Sequence, residues 1–135
     1  MGRKLPWVVA GVAVLAAVLV ALTARTGSAG GHPTPRPGIT GAAVLAASTF
    51  GQDERLVRAY TAARVMPEVF DGLHCYCECK KNFGHRSLLT CFESEHGASC
   101  DICLEEAAMA AEMHTAGSSL DEIRRAIDAR FKTGA

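Results

Sequence analysis

The chain has 135 residues, and its 14 Lys/Arg balance its 14 Asp/Glu, so the formal net charge at pH 7 is zero. The charges are unevenly distributed: residues 1–52 contain four basic residues and no acid, whereas residues 53–135 contain ten basic and fourteen acidic residues. The C-terminal part therefore lacks the basic face that nucleic-acid binding requires. Its 83 residues are near the lower limit for a self-sufficient core, and domains of that size often need disulfides or a metal.

The N-terminal segment is apolar. Arg3 and Lys4 precede Leu5–Leu22, a run of eighteen residues without a charge. The apolar core of a signal peptide is usually shorter, and a membrane-spanning helix needs about 20 residues. We therefore predict a signal-anchor or transmembrane helix over residues 1–25, which contacts the membrane through residues 5–22. Because the positive residues come first, we expect the C-terminal domain to be anchored on the extracytoplasmic face, or secreted if the helix is cleaved.

The next segment, residues 26–52, is dense in Gly and Pro over its first half. Such a composition predicts a flexible or semi-extended linker, in which His32 is expected to be solvated. The short apolar stretch Ala42–Ser48 is either a helical turn that docks on the domain or part of the linker. The cysteine-rich folded domain is then predicted over residues 53–135.

Helical patterns account for most of this domain. Apolar residues recur at helical spacing after Asp53, and Pro67 ends or bends that helix. A short amphipathic helix follows in "HRSLLTCFESEHG", a longer one in "SCDICLEEAAMAAEMHTAG", and a last one behind the capping box Ser119–Glu122. No segment has the pattern of a strand. We predict an all-α fold, a small bundle of three or four helices with an ordered cysteine-rich loop from Asp71 to Gly84.

Six cysteines lie within a stretch of 29 residues. They form three groups: Cys75, Cys77 and Cys79 in the loop, then Cys91, then Cys100 and Cys103. Structural disulfides are one interpretation, because the count is even and the predicted compartment is oxidising. Residues two apart in sequence bridge poorly, so each loop cysteine would need its own partner elsewhere, and every such pairing stays open.

Thiolate metal binding is the interpretation that we favour. In an extended chain, sulfurs two residues apart are separated by about 6.5 Å, too far for one ion with bonds of about 2.3 Å. The loop must therefore curl, which the flanking Gly72 and Gly84 permit. Cys100 and Cys103 lie three residues apart on one face of a helix start, where free amide groups favour thiolate. Soft thiolates select Cu(I), Zn(II) or an iron–sulfur cluster.

Two histidines adjoin the cysteine-rich loop, His74 at its start and His85 directly after it. Each is a candidate ligand of the metal or a polar neighbour of the ligands. The alternative that we favour for both is a polar loop residue without a role at the site. For three other polar residues, nothing in the spacing indicates a functional role. We expect His96 at the surface, and Glu105 and Glu106 on a solvated helix face.

Thiol–disulfide redox activity is the third interpretation of the cysteines. Cys100 and Cys103 have the C-x-x-C spacing at a helix start, where a thiol loses its proton more readily. No thioredoxin-like alternation of strands and helices surrounds the pair. No C-x-x-C-H sequence is present for covalent haem, and no hydrolytic triad is recognisable, so no catalytic residue is assigned. If the protein is an enzyme, a thiol–disulfide oxidoreductase fits best.

The segments "CYCEC", "GHRSLL", "CDICLEEA" and "SLDEIRRAIDARF" follow one another between Met66 and Phe131. Together they resemble the CYCXC (PCYCGC-motif) family of bacterial extracytoplasmic cysteine-rich proteins. His74 stands where this family often has Pro, and Glu78 where it often has Gly. Many relatives are lipoproteins, whereas this chain has no cysteine for lipid attachment after its apolar run. Some relatives carry selenocysteine in the motif, which implies a reactive chalcogen. The resemblance thus implies an exported protein with one functional group of cysteines.

The sequence therefore predicts a membrane-tethered extracytoplasmic domain that buffers or delivers a soft metal ion, with Cu(I) favoured over Zn(II) or an iron–sulfur cluster. The predicted ligands are five cysteines of the loop and the C-x-x-C pair, with a sixth that either completes the site or packs beside it: Cys75, Cys77, Cys79, Cys100 and Cys103, then Cys91. Predicted partners are the membrane and a metal donor or acceptor. One alternative is a thiol–disulfide redox protein with a redox partner, in which Cys100 and Cys103 or a loop cysteine is the nucleophile. The other is a disulfide-tied interaction module.

Overall fold

The computed structural model describes residues 31–132. The signal-anchor or transmembrane helix predicted over residues 1–25 lies outside this range. None of the helices in the described part combines the length and apolarity that membrane crossing requires.

Residues 31–132 form an all-helical fold without strands, which confirms the predicted class. Six α-helices follow one another: α1 Glu54–Val65, α2 Pro67–Asp71, α3 Cys79–Phe83, α4 Leu88–Cys91, α5 Asp101–Thr115 and α6 Leu120–Phe131. Short 3-10 helices also occur, at Gly41–Ala43, Ala47–Phe50 and Glu95–Ser99. The three long helices form the frame, with α5 packed against α1 on one side and α6 on the other. Two of the short helices carry a cysteine each, Cys79 on α3 and Cys91 on α4, whereas Cys103 lies on the long helix α5.

Local sequence explains the ends of the long helices. The Asp53 side chain accepts hydrogen bonds from the first amides of α1, which otherwise have no partner. Pro67 begins α2, because proline is tolerated at the first helical position but not inside a helix. Gly117 follows α5 with a φ of 88°, in the left-handed region that glycine adopts without strain. The predicted capping box of Ser119 and Glu122 is present at the start of α6.

Three aromatic side chains fill the centre of the fold, and we call them the aromatic core: Tyr60, Phe70 and Phe92. All three are fully buried. The Phe92 ring packs edge-on against Tyr60 at 4.9 Å and against Phe70 at 5.6 Å between ring centroids. The Tyr60 hydroxyl donates to the Ser94 carbonyl at 2.7 Å and accepts from the Ala98 amide at 3.0 Å. The aromatic core is therefore both close-packed and fully hydrogen-bonded.

From Gly31 onward, the segment for which we predicted a flexible linker packs against the helices. Val44 is only 2% exposed, and the Leu45 amide donates to the Phe92 carbonyl at 3.1 Å. Gly41 lies so close to α1 that a Cβ there would be 2.2 Å from the Arg64 carbonyl oxygen. Such contacts join residues far apart in sequence, so the Gly- and Pro-rich composition did not indicate them.

A buried carboxylate holds this segment in place. Asp71, fully buried at the end of α2, accepts from the Arg36 amide at 2.7 Å and from the Arg36 guanidinium. It also accepts from the Ser87 hydroxyl at 2.9 Å and forms an ion pair with Arg86 at 2.9 Å. Burial by itself would raise the pKa of Asp71, but the hydrogen bonds from Arg36 and Ser87 outweigh it and lower the pKa. The network joins the N-terminal segment to α2 and to the start of α4.

Candidate metal centre

Five cysteine sulfurs converge at one end of the helical frame. They are those of Cys75, Cys77, Cys79, Cys91 and Cys103, and all lie within 4.8 Å of one another. Cys75 Sγ is 3.2 Å from Cys77 Sγ and 3.4 Å from Cys103 Sγ, and Cys77 Sγ is 3.5 Å from Cys103 Sγ. Four of the five side chains are buried, and Cys77 is half-buried. We call this group the five-sulfur centre.

The loop curls at Glu78, as convergence of its sulfurs requires. Glu78 has a φ of 61°, a left-handed conformation that is uncommon for a residue with a side chain, and α3 begins directly after it. The curl brings the Cα atoms of Cys77 and Cys79 to 5.4 Å, and these two residues form a disulfide. Our prediction that cysteines two apart would not pair is therefore wrong, because it assumed that the chain between them does not reverse.

The two cysteines of the C-x-x-C sequence have different surroundings at the start of α5. Cys100 is the residue before the helix and is half-buried, whereas Cys103 is fully buried in the first turn. Only Cys103 belongs to the five-sulfur centre. Cys91, whose role the sequence left open between ligand and neighbour, belongs to it as well.

A buried glutamate faces the five-sulfur centre from the same helix. Glu106 is fully buried, so the prediction of a solvated position is wrong. It lies one turn after Cys103, and residues three apart on a helix share a face, which is the sequence signal that could have revealed it. Its Oε1 accepts from the Tyr76 amide at 2.8 Å, whereas Oε2 has no hydrogen-bond partner. Burial raises the pKa of Glu106 to about 7, against the hydrogen bonds from Tyr76 and Cys75.

The histidines near the loop have different surroundings. His85 Nδ1 lies 3.3 Å from Cys91 Sγ, so it touches the five-sulfur centre. His96, which we predicted at the surface, is half-buried, and its Nε2 lies 3.0 Å from Cys79 Sγ. The His74 ring instead packs edge-on against Tyr76, 5.0 Å away, and is not among the groups of possible ligands in the described residues. Burial lowers the pKa of His74.

A family model described as "Protein of unknown function with PCYCGC motif" matches residues 38–135. The chain belongs to this family. The match includes the aromatic core and all six cysteines, and it begins within the segment that we predicted as a linker. No curated protein and no solved structure matches the chain.

The name of the PCYCGC-motif family shows what is particular to this chain. Its glycine corresponds to Glu78, whose φ of 61° is a conformation that glycine adopts without strain. Its proline corresponds to His74, whose amide donates to His32 Nδ1 at 2.9 Å. Proline has no amide hydrogen and cannot make that bond. Glu78 thus takes up a conformation that favours glycine, and His74 supplies an amide hydrogen bond that proline lacks, each beside a loop cysteine.

His32 was predicted to be solvated, but its side chain is only 1% exposed. Its Nδ1 accepts from the His74 amide, so its proton is on Nε2, which donates to Asp128 Oδ1 at 2.8 Å. The Tyr76 hydroxyl donates to the same carboxylate oxygen. The residues on both sides of Cys75 are thus fixed by hydrogen bonds to the N-terminal segment and to α6. No periodic pattern indicates a contact between residues so distant in sequence.

The electrostatics of the five-sulfur centre disfavour thiolates in the absence of a cation. The pKa of the Cys75 thiol is raised well above its ordinary value, chiefly by its hydrogen bond with Cys103, and burial adds to the effect. The pKa values of the Cys91 and Cys103 thiols are raised as well. The arrangement can therefore hold protons, a disulfide or a metal ion, but it cannot hold several uncompensated negative charges.

Proposed function

We propose that this protein binds Cu(I) at the five-sulfur centre and buffers or delivers the ion outside the cytoplasm. The observation that carries the proposal is the convergence of five sulfurs within 4.8 Å, most of them buried. A disulfide needs only two cysteines, so a single disulfide does not explain why five sulfurs converge. Clustered thiolates are the donor set that soft metal ions select.

The unpaired oxygen of Glu106 supports a cation at this place. Buried side-chain oxygens normally have a hydrogen-bond partner, and Glu106 Oε2 is the exception among the described residues. It lies on the helix face that carries Cys103. Each thiol that binds Cu(I) releases its proton, and the unpaired oxygen of Glu106 is placed to accept one of them. We assign Glu106 the role of accepting a thiol proton on metal binding, not of a direct ligand.

The number of sulfurs favours Cu(I) over the other thiophilic metals. A structural zinc site is closed by four ligands in a tetrahedron, and iron–sulfur clusters are commonly held by four cysteines. Five sulfurs exceed both requirements, whereas Cu(I) accepts few ligands per ion and can share sulfurs between ions. An exported thiolate centre is also well suited to hold an ion that is harmful when free.

Metal binding requires the reduced form of the Cys77–Cys79 pair. The disulfide takes up two electrons and two protons from a dithiol reductant, which becomes a disulfide itself, and yields two thiols. Each thiol then releases its proton when the metal binds. We therefore expect the protein to bind Cu(I) tightly after reduction and weakly while the disulfide is intact.

Thiol–disulfide exchange is the second candidate function, and one observation favours it. Cys75 Sγ lies 3.2 Å from Cys77 Sγ, so the Cys75 thiolate can attack that sulfur and release Cys79 as the leaving thiolate. The raised pKa of Cys75 weighs against this function, because the attacking species is the thiolate. A scaffold tied by three disulfides has less support, since four of the six cysteines are free.

The cellular location is part of the proposal. The uncharged run Leu5–Leu22 behind Arg3 and Lys4 favours a membrane anchor with the cysteine domain on the outer face, or a secreted protein after cleavage. The metal would then be exchanged with another exported protein or with a small metal complex.

Metal analysis of the full chain tests the proposed function. The chain is purified anaerobically in mild detergent, reduced, loaded with Cu(I) and desalted. Elemental mass spectrometry and free-thiol counts before and after chelation are then compared. We expect retained copper, and thiols that become reactive only after chelation. A chain without copper, whose thiols react equally before and after chelation, would contradict the proposal.

A further inference from the structure

We infer that Cys79, His85 and His96 form a second, outer metal site through which Cu(I) reaches the five-sulfur centre. The possible ligand atoms of these three residues lie within 4.8 Å of one another. This inference rests on the proposed function, because it names the route by which that centre is filled.

The two imidazoles are positioned over the sulfurs. His96 contacts Cys79, and His85 contacts Cys91. The two imidazole rings pack edge-on, nearly perpendicular to each other, at 4.9 Å between centroids. Both histidines are half-buried, whereas most of the sulfurs behind them are buried. Among the described residues, these rings offer nitrogen ligands between solvent and the sulfurs.

Cys79 belongs to both groups of possible ligands, and this connects the two sites. Once the Cys77–Cys79 disulfide is reduced, the Cys79 thiolate has enough lone pairs to bridge two ions or to hold one ion while its other ligands are exchanged. An ion bound to Cys79 and the two imidazoles can therefore exchange nitrogen for sulfur ligands without leaving Cys79. Because thiolates are softer ligands than imidazole, Cu(I) gains affinity as it moves inward.

The outer surface of this site is suited to a partner that carries the metal. Phe83 is 62% exposed, and its ring lies 4.6 Å from His96 and 5.9 Å from His85 between centroids. Lys80 and Lys81 are exposed on the same short helix, α3, and Lys81 pairs with Glu78 at 3.9 Å. An exposed aromatic ring beside the Lys80 charge fits an anionic copper complex as the donor.

The test compares the double variant His85→Gln/His96→Gln with wild type and with the control His114→Gln. Glutamine keeps a polar group near the sulfurs but is a poor ligand for Cu(I), and His114 is exposed on α5 and belongs to neither metal group. The reduced full chain receives Cu(I) as its anionic bicinchoninate complex, and the loss of that complex is followed by stopped flow. We expect transfer to the double variant to be slower by at least about tenfold, with the final copper content preserved.

X-ray absorption at the copper edge supplies the second measurement. With two equivalents of Cu(I), we expect imidazole scattering in wild type and its loss in the double variant. If the double variant does not fold, the two single variants and the wild-type imidazole signal decide instead. Unchanged transfer rates and no imidazole signal in wild type would overturn the outer site and leave the five-sulfur centre in place.

The remaining outcomes separate the two proposals. Copper held by imidazole and one sulfur alone would support the outer site and contradict the five-sulfur centre. Failure of the wild-type chain to retain any copper would overturn both.

Discussion

The aromatic core and the five-sulfur centre are both buried, but they differ in how completely their polar atoms are hydrogen-bonded. In the aromatic core, the one polar side-chain atom, the Tyr60 hydroxyl, both donates and accepts a hydrogen bond. In the five-sulfur centre, several thiols crowd together and the adjacent Glu106 has an oxygen without a partner. Burial without complete pairing destabilises a fold unless something else binds there. The difference indicates that the aromatic core supports the fold and the five-sulfur centre supports a function.

The largest expected effect concerns the Asp71 network, a buried part of the fold in which the protein itself supplies the hydrogen-bond partners. Asp71→Asn removes the buried charge that Arg36 and Arg86 share, and both arginines can partly turn to solvent. We therefore expect a loss of about 3 kcal/mol in the free energy of unfolding, at the lower end for a broken buried ion pair. Urea unfolding of the metal-free protein measures it. The control Asp121→Asn removes an exposed pair with Arg124 and should cost less than about 0.5 kcal/mol.

The effect of Asp71 should also depend on pH. Its pKa is lower in the folded protein than its ordinary value of 3.8, so between the two values the unfolded chain binds more protons. The stabilisation is therefore fully present above the ordinary value and is lost as the pH falls through the folded one. The difference between wild type and Asp71→Asn should shrink in that acidic range. A difference that stays constant through acid would contradict the assigned charge.

The next effect separates the two cysteines of the C-x-x-C sequence. Cys103→Ser removes a sulfur from the five-sulfur centre, and Cys100→Ser removes one outside it. We expect Cu(I) affinity to fall by more than about 100-fold for Cys103→Ser, and by less than about threefold for Cys100→Ser. Competition with a Cu(I) chelator under reducing conditions measures both. Equal losses would mean that Cys100 and Cys103 act as a unit, which would contradict the placement of Cys100 outside the five-sulfur centre.

Local sequence signals predict part of this structure, and the rest depends on how distant segments pack. The frame of α1, α5 and α6 follows from helical periodicity and from caps such as Asp53 and Ser119, because those signals are local. The clustering of six cysteines in the sequence also predicts a site where their sulfurs meet. The placement of His32 beside Asp128, 96 residues away, depends on how the helices pack, and no local pattern encodes it. The burial of Glu106 was missed because an isolated glutamate on a helix is usually solvated.

A smaller effect tests the role of Glu106 at the five-sulfur centre. Glu106→Gln keeps the size of the side chain but removes the carboxylate that accepts a thiol proton when Cu(I) binds. We expect about tenfold weaker Cu(I) binding near neutral pH. The control Glu105→Gln changes the neighbouring residue, which is exposed on the same helix, and should leave binding unchanged. Equal binding by both variants would show that the Glu106 carboxylate does not accept a thiol proton on metal binding.

The smallest effect concerns the curl of the loop. Glu78→Gly introduces the residue of the family motif at a φ of 61°, and we expect the free energy of unfolding to rise by about 1 kcal/mol. Glu78→Ala removes the same exposed side chain but keeps the strain, so it should not stabilise the protein. Thermal unfolding of the three proteins gives the comparison. Stabilisation by both substitutions would assign the effect to the lost carboxylate instead of the backbone.

X-ray absorption of the reduced full chain, loaded with one equivalent of Cu(I), tests the central claim most directly. If the five-sulfur centre is the copper site, the nearest neighbours of the ion will all be sulfur. A first shell made of nitrogen or oxygen, or copper that is lost on desalting, would contradict the claim.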